Sequence, residues 1–448
     1  MTQKEFLRLC AYGERVEIEN AIISGIDVNA KAYMHGAKVP PLFVAVMEEN
    51  EEAVKVLIEY GARHGDGFIG AIVRGKKKLL KLLKDSGADV NCEDSNHNSP
   101  LLFAVTANKQ RMVKWLIECG ADVNMKSNAG YAPLTYVVLM QAVADSTNGR
   151  HRKVNPEIVN LLMRAGADYD EAMIIAVKSG NIKFLELMLQ NGADINRQCG
   201  DKWNHQSPLA AAIFTGEREI SAEMVEFLAS NGADVNEVFE LGEDTLTTAL
   251  NVSITMNRPD IADVLLSHGA DPDFRDRTGR TPLVYSVLTG EEILRVLLKH
   301  GADPDIPDKE GRTPLMLAAL DVGTEPGISE ALIEYGANVN AQDNDGMTAL
   351  LWTVAGKDRT PGFLMSALMR TGGLRAEGWE TWFMLAVVYI ALKREAQLDS
   401  IRLLLLHGAD INLSDNKGMN AMMCAMMNFD DEAVEILEEA RQNIQDKS

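Results

Sequence analysis

The residues that could do chemistry in this sequence are few and scattered. Cys92 lies close to His97, and Cys199 lies close to His205, so each pair could supply two ligands to a metal ion. A structural zinc site needs four ligands, and the two pairs are too far apart in the chain to share one ion. The sequence also has no glycine-rich phosphate loop, no HExxH zinc motif and no nucleophile elbow. We therefore predict that the protein is not an enzyme and binds no metal and no cofactor.

The remaining histidines and cysteines favour structural roles. His268, His300 and His407 each directly precede a glycine that ends an apolar helical pattern. An imidazole at the C-terminus of a helix interacts favourably with the helix dipole. The five cysteines follow no pairing rhythm, which is typical of free thiols in a reducing compartment. We expect a cytoplasmic protein.

The charge of the chain excludes several functions. It has 65 acidic and 44 basic residues, which gives a net charge of −21. Such a charge keeps an extended protein soluble and repels nucleic acid, so we predict no nucleic-acid partner. No apolar run is long enough to span a bilayer, and the N-terminus lacks the apolar segment of a secretory signal. We predict no membrane association.

Two short signatures recur in register along the whole chain. The first is Gly-Ala-Asp followed by one residue and then Asn or Asp, and glycine is the residue that best ends a helix with a positive φ. Its copies start at Gly87, Gly120, Gly192, Gly232, Gly269, Gly301 and Gly408, with degenerate copies at Gly25, Gly61, Gly166, Gly336 and Gly372.

The second signature follows about ten residues later and starts a helix. Ser or Thr can cap the helix, and Pro suits its first position. The copies are Ser99-Pro100-Leu101, Ala132-Pro133-Leu134, Ser207-Pro208-Leu209, Thr281-Pro282-Leu283, Thr313-Pro314-Leu315 and Thr348-Ala349-Leu350. Turn residues such as Asp276-Arg277-Thr278-Gly279 lie between the signatures and predict a hairpin-like finger with a left-handed glycine.

A finger, two helices and a glycine cap, repeated at a period near 33 residues, resemble the ankyrin repeat. The resemblance covers essentially the whole chain, although the usual His after Thr-Pro-Leu is replaced throughout. It implies an all-α solenoid of about thirteen helix-turn-helix units in one continuous domain, 1–448. We expect an N-terminal capping repeat at 1–29, internal repeats at 30–412, and a C-terminal capping repeat at 413–448, where Glu435, Glu438 and Glu439 give a charged outer face.

Three units depart from this period. Two span only 26 residues, near 62–91 and 167–196, and have no room for a finger. They are either gaps in a row of binding fingers or drift in a tolerant scaffold. A third unit carries an insertion near 144–156 that includes the basic run Arg150-His151-Arg152-Lys153. That insertion either shapes a binding face or is a solvated loop.

The resemblance implies that a partner lies against the fingers and the inner helices, on the concave side. The first candidate set is the residue before the Thr-Pro signature, with Tyr131, Arg280, Arg312 and Met347 as the binding candidates. The second set is an apolar row on the inner helices: Met47, Met140, Phe214, Met256, Leu288, Leu320 and Met427. Trp203 is a further candidate contact. The alternative for the apolar row is that it belongs to the core.

Acidic residues of the fingers lie beside that row, at Asp94, Asp201, Asp276, Asp308, Asp343, Asp345 and Asp415. They either attract a partner with a basic and partly apolar surface, or they serve only the chemistry of the turns. We predict a monomeric scaffold or adaptor that binds a protein. The alternatives are an antitoxin-like or immunity-like inhibitor of a basic enzyme, and an effector that acts in a host cytosol.

Overall fold

The computed structural model describes residues 1–34, 36–94, 97–146, 155–199, 207–214, 222–240, 246–320, 326–355 and 394–445. The chain divides into two compact parts, Met1–Met224 and Val225–Ser448. Each part is an array of helix pairs, which we call repeats, and in each repeat we distinguish a first helix and a second helix.

The helices of the N-terminal part begin close to the start of the chain and come in consecutive pairs. They are α1 (Gln3–Tyr12), α2 (Arg15–Ile23), α3 (Pro41–Met47), α4 (Glu51–Glu59), α5 (His64–Arg74), α6 (Lys77–Asp85), α7 (Pro100–Thr106), α8 (Gln110–Glu118), α9 (Pro133–Ser146), α10 (Pro156–Arg164), α11 (Asp170–Lys178), α12 (Ile182–Gln190) and α13 (Pro208–Ile213).

Helix α14 contains the boundary between the parts, and the remaining helices belong to the C-terminal part. They are α14 (Ala222–Ser230), α15 (Ala249–Thr255), α16 (Pro259–Ser267), α17 (Pro282–Ser286), α18 (Glu291–Lys299), α19 (Pro314–Leu320), α20 (Pro326–Glu334), α21 (Ala349–Ala355), α22 (described over 394–406), α23 (Ala421–Met427) and α24 (Asp431–Gln445).

The two sequence signatures form the ends of the helices, as predicted. The Ser99 hydroxyl accepts a hydrogen bond from the Leu102 N–H at 3.1 Å, and Thr348 caps Leu351 in the same way at 3.2 Å. The glycines after the second helices have φ between 82° and 95°, a region that only glycine occupies without strain. Gly372, the remaining predicted anchor, lies outside the described residues.

In each part, consecutive first helices contact one another and so do most consecutive second helices. Their facing sides carry the core. In the repeat of α17 and α18, for example, Leu283, Ile293, Leu294 and Leu297 are fully buried. The core is therefore continuous from one repeat to the next within each part, which is how a repeat that cannot bury its own apolar face becomes stable. The predicted all-α repeat solenoid is confirmed.

Two of the fingers are short antiparallel hairpins. Strands β1 (Ala32–Met34) and β2 (Ala37–Val39) pair with Tyr33 opposite Lys38. Strands β3 (Val238–Glu240) and β4 (Leu246–Thr248) pair with Phe239 opposite Thr247. Other fingers turn at a left-handed glycine, such as Gly279 with φ 81° and Gly311 with φ 82°.

The irregular units differ in where their first helices begin or end. Helix α5 begins at His64 and α11 at Asp170, only a few residues after Gly61 and Gly166, so neither repeat has a finger. Helix α9 continues to Ser146 and α10 begins at Pro156. The basic run Arg150 to Lys153 between them lies outside the described residues.

Adjacent repeats are linked by an asparagine that follows the Gly-Ala-Asp motif. The Asn236 Nδ2 donates to the carbonyl of Gly269 at 2.9 Å, and its Oδ1 accepts from the Asp271 N–H at 2.7 Å. We call this pair of bonds an asparagine joint. The same joint is made by Asn29 with Gly61 and Arg63, Asn91 with Gly120 and Asp122, Asn124 with Gly166 and Asp168, and Asn340 with Gly408 and Asp410.

Aspartate replaces asparagine at two joints of the C-terminal part. The Asp273 Oδ1 accepts from the Asp303 N–H at 3.0 Å, and the Asp305 Oδ1 accepts from the Asn338 N–H at 2.8 Å. A carboxylate has no N–H to donate to the glycine carbonyl, so an aspartate joint lacks one of the two bonds. Burial, together with the charges of Asp303 and Asp271, raises the pKa of Asp273.

The fingerless repeats use longer side chains for the same purpose. The Asp89 N–H donates to Nδ1 of His64 at 3.1 Å, and the Asp194 N–H donates to the Tyr169 hydroxyl at 3.1 Å. Arg197 lies over the Tyr169 ring, with its guanidinium carbon 4.7 Å from the ring centroid. These repeats thus keep their register in the array without a finger.

One of these joints links repeats that are far apart in the chain. Asn340 bonds Gly408 and Asp410, which lie 68 and 70 positions further along the chain, at the place where the other joints reach the next repeat. Helix α21 also contacts α23 directly, and Gln397 in α22 donates to the Thr353 carbonyl of α21 at 2.9 Å. Helices α21 and α22 therefore form one repeat, and Gly336 and Gly408 end repeats that contact each other. The described helices make twelve pairs.

Candidate functional site

The described members of the apolar row lie at the C-terminal ends of the first helices, except Met140, which lies in the middle of the longer helix α9. None of its described members is buried in the core. Leu288 is 71% exposed, Met427 63% and Met256 50%. Met47, Met140 and Phe214 are half-buried. We call Met256 and Leu288, which follow the contacting helices α15 and α17, the first-helix pair.

Two candidates cannot be placed. The side chain of Leu320, the last residue of α19, and all of Trp203 lie outside the described parts of the chain. The row is also not in one strict register. Leu288 directly follows buried Val287, whereas Met256 comes two residues after buried Ile254, so the two side chains leave their helix ends in different directions.

The second candidate set forms the bases of the fingers. The carbonyls of Tyr131, Arg280, Arg312 and Met347 each accept a hydrogen bond from the N–H of the residue that begins the turn. All four side chains are half-buried. The Tyr131 ring contacts Tyr136 edge-on at 6.4 Å, and Arg312 pairs with Asp308 at 2.8 Å and with Glu310 at 3.0 Å. The structure therefore gives Tyr131 and Arg312 partners within their own repeats.

Most of the acidic finger residues serve their own turns. The Asp308 Oδ1 accepts from the Glu310 and Arg312 N–H groups, and Asp308 is only 4% exposed. Asp343 accepts from two turn N–H groups and from the Trp352 indole at 2.8 Å. Asp94 and Asp415 accept turn N–H groups in the same way, whereas Asp345 is exposed and Asp201 lies outside the described residues. These contacts favour the turn-chemistry interpretation for Asp308 and Asp343.

Asp276 shows the electrostatics of such a finger. Burial raises the pKa of Asp276. Hydrogen bonds from the Tyr285 hydroxyl, Thr278 and Arg280 lower it by more, so the pKa of Asp276 lies below its usual value. Burial and the same carboxylate raise the pKa of Tyr285 to about 12. The Asp276 carboxylate is thus held ionised by the repeat itself.

The described residues hold no cluster of three or more His, Cys, Asp or Glu side chains arranged to bind a metal. Among those same residues, no helix combines the length and apolar character required to cross a membrane. His268 and His300 contact Glu226 at 3.1 Å and Asp263 at 2.8 Å, at the ends of their helices.

Two features of the site were missed at the sequence level. One is the asparagine joint, although Asn recurs at the fifth position of the Gly-Ala-Asp motif and could have indicated it. The other is helix α23, where Met423 is 47% exposed and Met426 53% exposed, followed by Phe429 at 90%. On α24, Glu435, Glu438 and Glu439 are exposed.

The helix pairs, the fingers and the joints define a class of protein, the helical repeat arrays whose surfaces bind other proteins. The model for "Ankyrin repeats (3 copies)" matches residues 68–145, 139–239 and 238–308, and the model for "Ankyrin repeat" matches 310–344. Together these matches cover more than half of the chain. The chain belongs to the ankyrin repeat family.

Similar proteins come from distant sources. A putative ankyrin repeat protein of fowlpox virus is 31% identical over 139 residues, which cover 30% of this chain and 38% of the relative. A putative ankyrin repeat-containing protein of Treponema pallidum is 31% identical over 146 residues, covering 32% of this chain and 45% of the relative. The E3 ubiquitin-protein ligase Ufd4 of Drosophila melanogaster is 44% identical over 61 residues, covering 14% of this chain and 2% of the ligase. The chain thus spans less than half the length of each of these relatives.

Proposed function

We propose that this protein is a scaffold or adaptor that binds a protein partner along the first helices of its C-terminal part. The family generally mediates protein–protein interaction. The observation that carries the proposal is the first-helix pair: Leu288 and Met256 are large apolar side chains, 71% and 50% exposed, on neighbouring repeats. Large exposed apolar side chains are typical of interaction sites.

The finger bases border this surface. Arg280 and Arg312 precede helices α17 and α19 and are half-buried, while Leu288 follows the other end of α17. A partner on this side would meet an apolar centre and a polar edge, the usual arrangement of a protein interface. The net charge of −21 attracts a partner with a basic surface. A monomer in a cytoplasmic compartment remains part of this proposal.

The test begins by capturing partners with the full chain at moderate salt and identifying them by mass spectrometry. Binding of the purified partner is then compared between the wild type and the double variant Met256→Gln, Leu288→Gln. We expect about tenfold or greater weakening, because both side chains lose apolar contact area. The melting temperature should be unchanged, since neither residue is in the core.

Leu406→Gln is the matched control. Leu406 is 80% exposed but lies in the second helix α22. It should weaken binding less than twofold. If the double variant melts early, these residues support the fold and are not a surface; if no protein is captured, the scaffold proposal fails.

A further inference from the structure

A group of unpaired cations lies on two consecutive second helices of the N-terminal part. Lys77, Lys81 and Lys84 are exposed on α6, and Arg111 and Lys114 are exposed on α8. None of the five makes an ion pair with a residue that the structure describes. We call these five side chains the basic patch. They lie close together on a chain in which acidic residues outnumber basic ones by 65 to 44.

The three lysines of α6 share one face of their helix. They are spaced at intervals of four and three residues, which places their side chains on the same side. Leu79 and Leu83 are buried and face the core. The rise from Lys77 to Lys84 is about 10 Å, and Asp85 is the one carboxylate in α6. The exposed face of α6 therefore carries a row of positive charge.

The cations of α8 extend the patch into the next repeat. The Asn91 joint links the two repeats, and their first helices, α5 and α7, contact each other. Lys81 and Lys114 lie six residues before Gly87 and Gly120, so they occupy the same position in their helices. Stacked helices lie about 8–10 Å apart. The patch is thus about as wide across the two helices as it is long on α6.

The cations that flank the patch in the sequence are paired. Lys76 contacts Glu49, Arg74 lies 3.8 Å from the same carboxylate, and Lys78 lies 3.2 Å from Glu51. Both glutamates belong to the preceding helix pair, α3 and α4, and the turn between them. The preceding repeat thus neutralises these flanking cations, whereas those of the basic patch keep their charge exposed to solvent.

The two parts of the chain also differ strongly in charge. Residues 1–224 contain 28 acidic and 26 basic side chains, whereas residues 225–448 contain 37 acidic and 18 basic ones. An acidic molecule is therefore repelled mainly by the C-terminal part, and the basic patch attracts it locally. Charge complementarity favours carboxylates as the groups that this surface binds.

A narrow acidic segment matches the patch better than an extended anionic surface does. Helix α4 contacts α6 and exposes Glu51, Glu52 and Glu59. A flat lipid surface on α6 would also meet these carboxylates, and like charges in contact are costly. A second copy of the chain carries the same net charge of −21, so two copies repel each other at long range.

We propose that the basic patch binds an acidic segment of another protein, a stretch rich in Asp and Glu that lies across α6 and α8. The site uses residues other than the first-helix pair and lies in the other part of the chain. A scaffold with both sites would hold a basic partner on one part and an acidic segment on the other. Either proposal can fail while the other holds.

The probe is a fluorescein-labelled peptide of about 12 residues in which Glu alternates with Ser, long enough to cross two neighbouring helices. Its binding to the full chain is measured by fluorescence anisotropy at physiological ionic strength, beside a peptide in which Gln replaces every Glu. We expect the Glu peptide to bind at least about tenfold more tightly, because opposite charges attract. Equal binding of the two peptides, or no binding of the Glu peptide, overturns the proposal.

Charge reversal locates the site. Lys81→Glu with Lys114→Glu should weaken binding of the Glu peptide at least about tenfold, since it reverses one cation on each helix. The melting temperature should be unchanged, because neither lysine has an ion-pair partner among the described residues. If this variant melts early, Lys81→Gln with Lys114→Gln replaces it, and binding should still weaken about threefold. Full binding by the Gln variant would contradict the proposal.

Lys126→Glu with Lys183→Glu is the matched control. Both lysines are exposed in the N-terminal part and make no ion pair with a described residue, so the control makes the same change in net charge away from the patch. It should weaken peptide binding less than about twofold. Equal weakening by the two double variants would show attraction by overall charge alone and would overturn the proposal.

The other occupants give different results. If the patch serves a membrane, the chain will sediment with vesicles of phosphatidylcholine and phosphatidylserine and will not bind the Glu peptide. If it serves a second copy, sedimentation will show a dimer that Lys81→Glu with Lys114→Glu dissociates. Either result overturns the proposal.

Discussion

The joint between the Gly336 and Gly408 repeats differs from the two aspartate joints that precede it. At the later joint Asn340 makes both bonds, Gln342 donates to the Ser414 carbonyl at 3.1 Å, and Asn428 donates to the Val354 carbonyl at 3.0 Å. At the aspartate joints, Asp273 and Asp305 each accept one bond from the next repeat. The side-chain amides of Asn340, Gln342 and Asn428 therefore join two contacting repeats that are separated by the longest stretch of sequence.

The difference suggests that contacts along the array are not uniform. In the stretch of regular repeats from Gly269 to Gly336, sequence neighbours stack within 32 to 35 residues of one another. The Gly408 repeat instead contacts Asn340, which lies 68 positions earlier in the chain. Side-chain amides and an ion pair contact the Gly408 repeat, while other side chains join the regular repeats, such as Arg295 with Glu334 and Asn344 with the Lys309 carbonyl.

The largest effect is expected at Arg394. Its guanidinium donates to both carboxylate oxygens of Asp430, which is 7% exposed and also accepts from the Ala433 N–H in the first turn of α24. Arg394→Met leaves this carboxylate without its cationic partner, so we expect a loss of about 2 kcal/mol in the free energy of unfolding. Urea denaturation measures it. Arg402→Met is the control, since the Arg402–Asp399 pair is exposed and should contribute less than about 0.5 kcal/mol. Equal losses would contradict the special role of this joint.

A smaller loss is expected when the asparagine joint itself is removed. Asn340→Ala deletes both bonds to the Gly408 repeat and should cost about 1.5 kcal/mol. Hydrogen exchange should also become faster at the Asp410 amide, which loses its acceptor. Asn412→Ala is matched to it, because the Asn412 side chain bonds only Asp410 of its own repeat among the described contacts. If both variants behave alike, the joint does not hold the repeats together.

The smallest effect has the opposite sign. Asp273→Asn should add the missing bond to the Gly301 carbonyl and remove a half-buried charge, and so stabilise the protein by about 1 kcal/mol at pH 7. The folded state raises the pKa of Asp273, so its ionised form costs stability at neutral pH. That cost disappears as the pH falls below the unfolded value of about 3.9, where the carboxyl is neutral in both states. The gain measured by urea denaturation should therefore shrink between pH 7 and pH 4.

Asn236→Asp is the reverse substitution at another joint. It converts an asparagine joint into an aspartate joint and should destabilise the protein by about the amount that Asp273→Asn gains. A pH-independent gain at Asp273, or a neutral Asn236→Asp, would show that the two kinds of joint are equivalent.

The fold was predictable because its signals are local and repeated. A glycine that must take a positive φ, and a Ser or Thr before Pro, determine helix ends without knowledge of distant contacts. The helix ends at Gly301 and Ser99 follow this logic.

The site was less predictable, since exposure depends on which neighbour covers a residue. Met426 and Val354 occupy the same position in their helices, yet Met426 is 53% exposed and Val354, whose helix α21 contacts α23, is 2% exposed. The apolar row was identified by residue type, while its alternative, burial in the core, could be judged only from the structure. The acidic finger residues were assigned two possible roles. Hydrogen bonds such as those that Asp308 accepts from its own turn favour the role in turn formation.

The asparagine joint also has a consequence for how such a chain can evolve. Gly120, Asp122 and Asn124 show this: the carbonyl and the N–H that receive Asn91 lie within five residues of Asn124, which forms the next joint. Both halves of a joint are therefore encoded in one short gene segment. Asn340 and Gly408 show that the halves recognise each other whatever the length of chain between them. Duplication or deletion of a whole repeat therefore leaves matching edges behind, and the array can change its length without redesigning any contact.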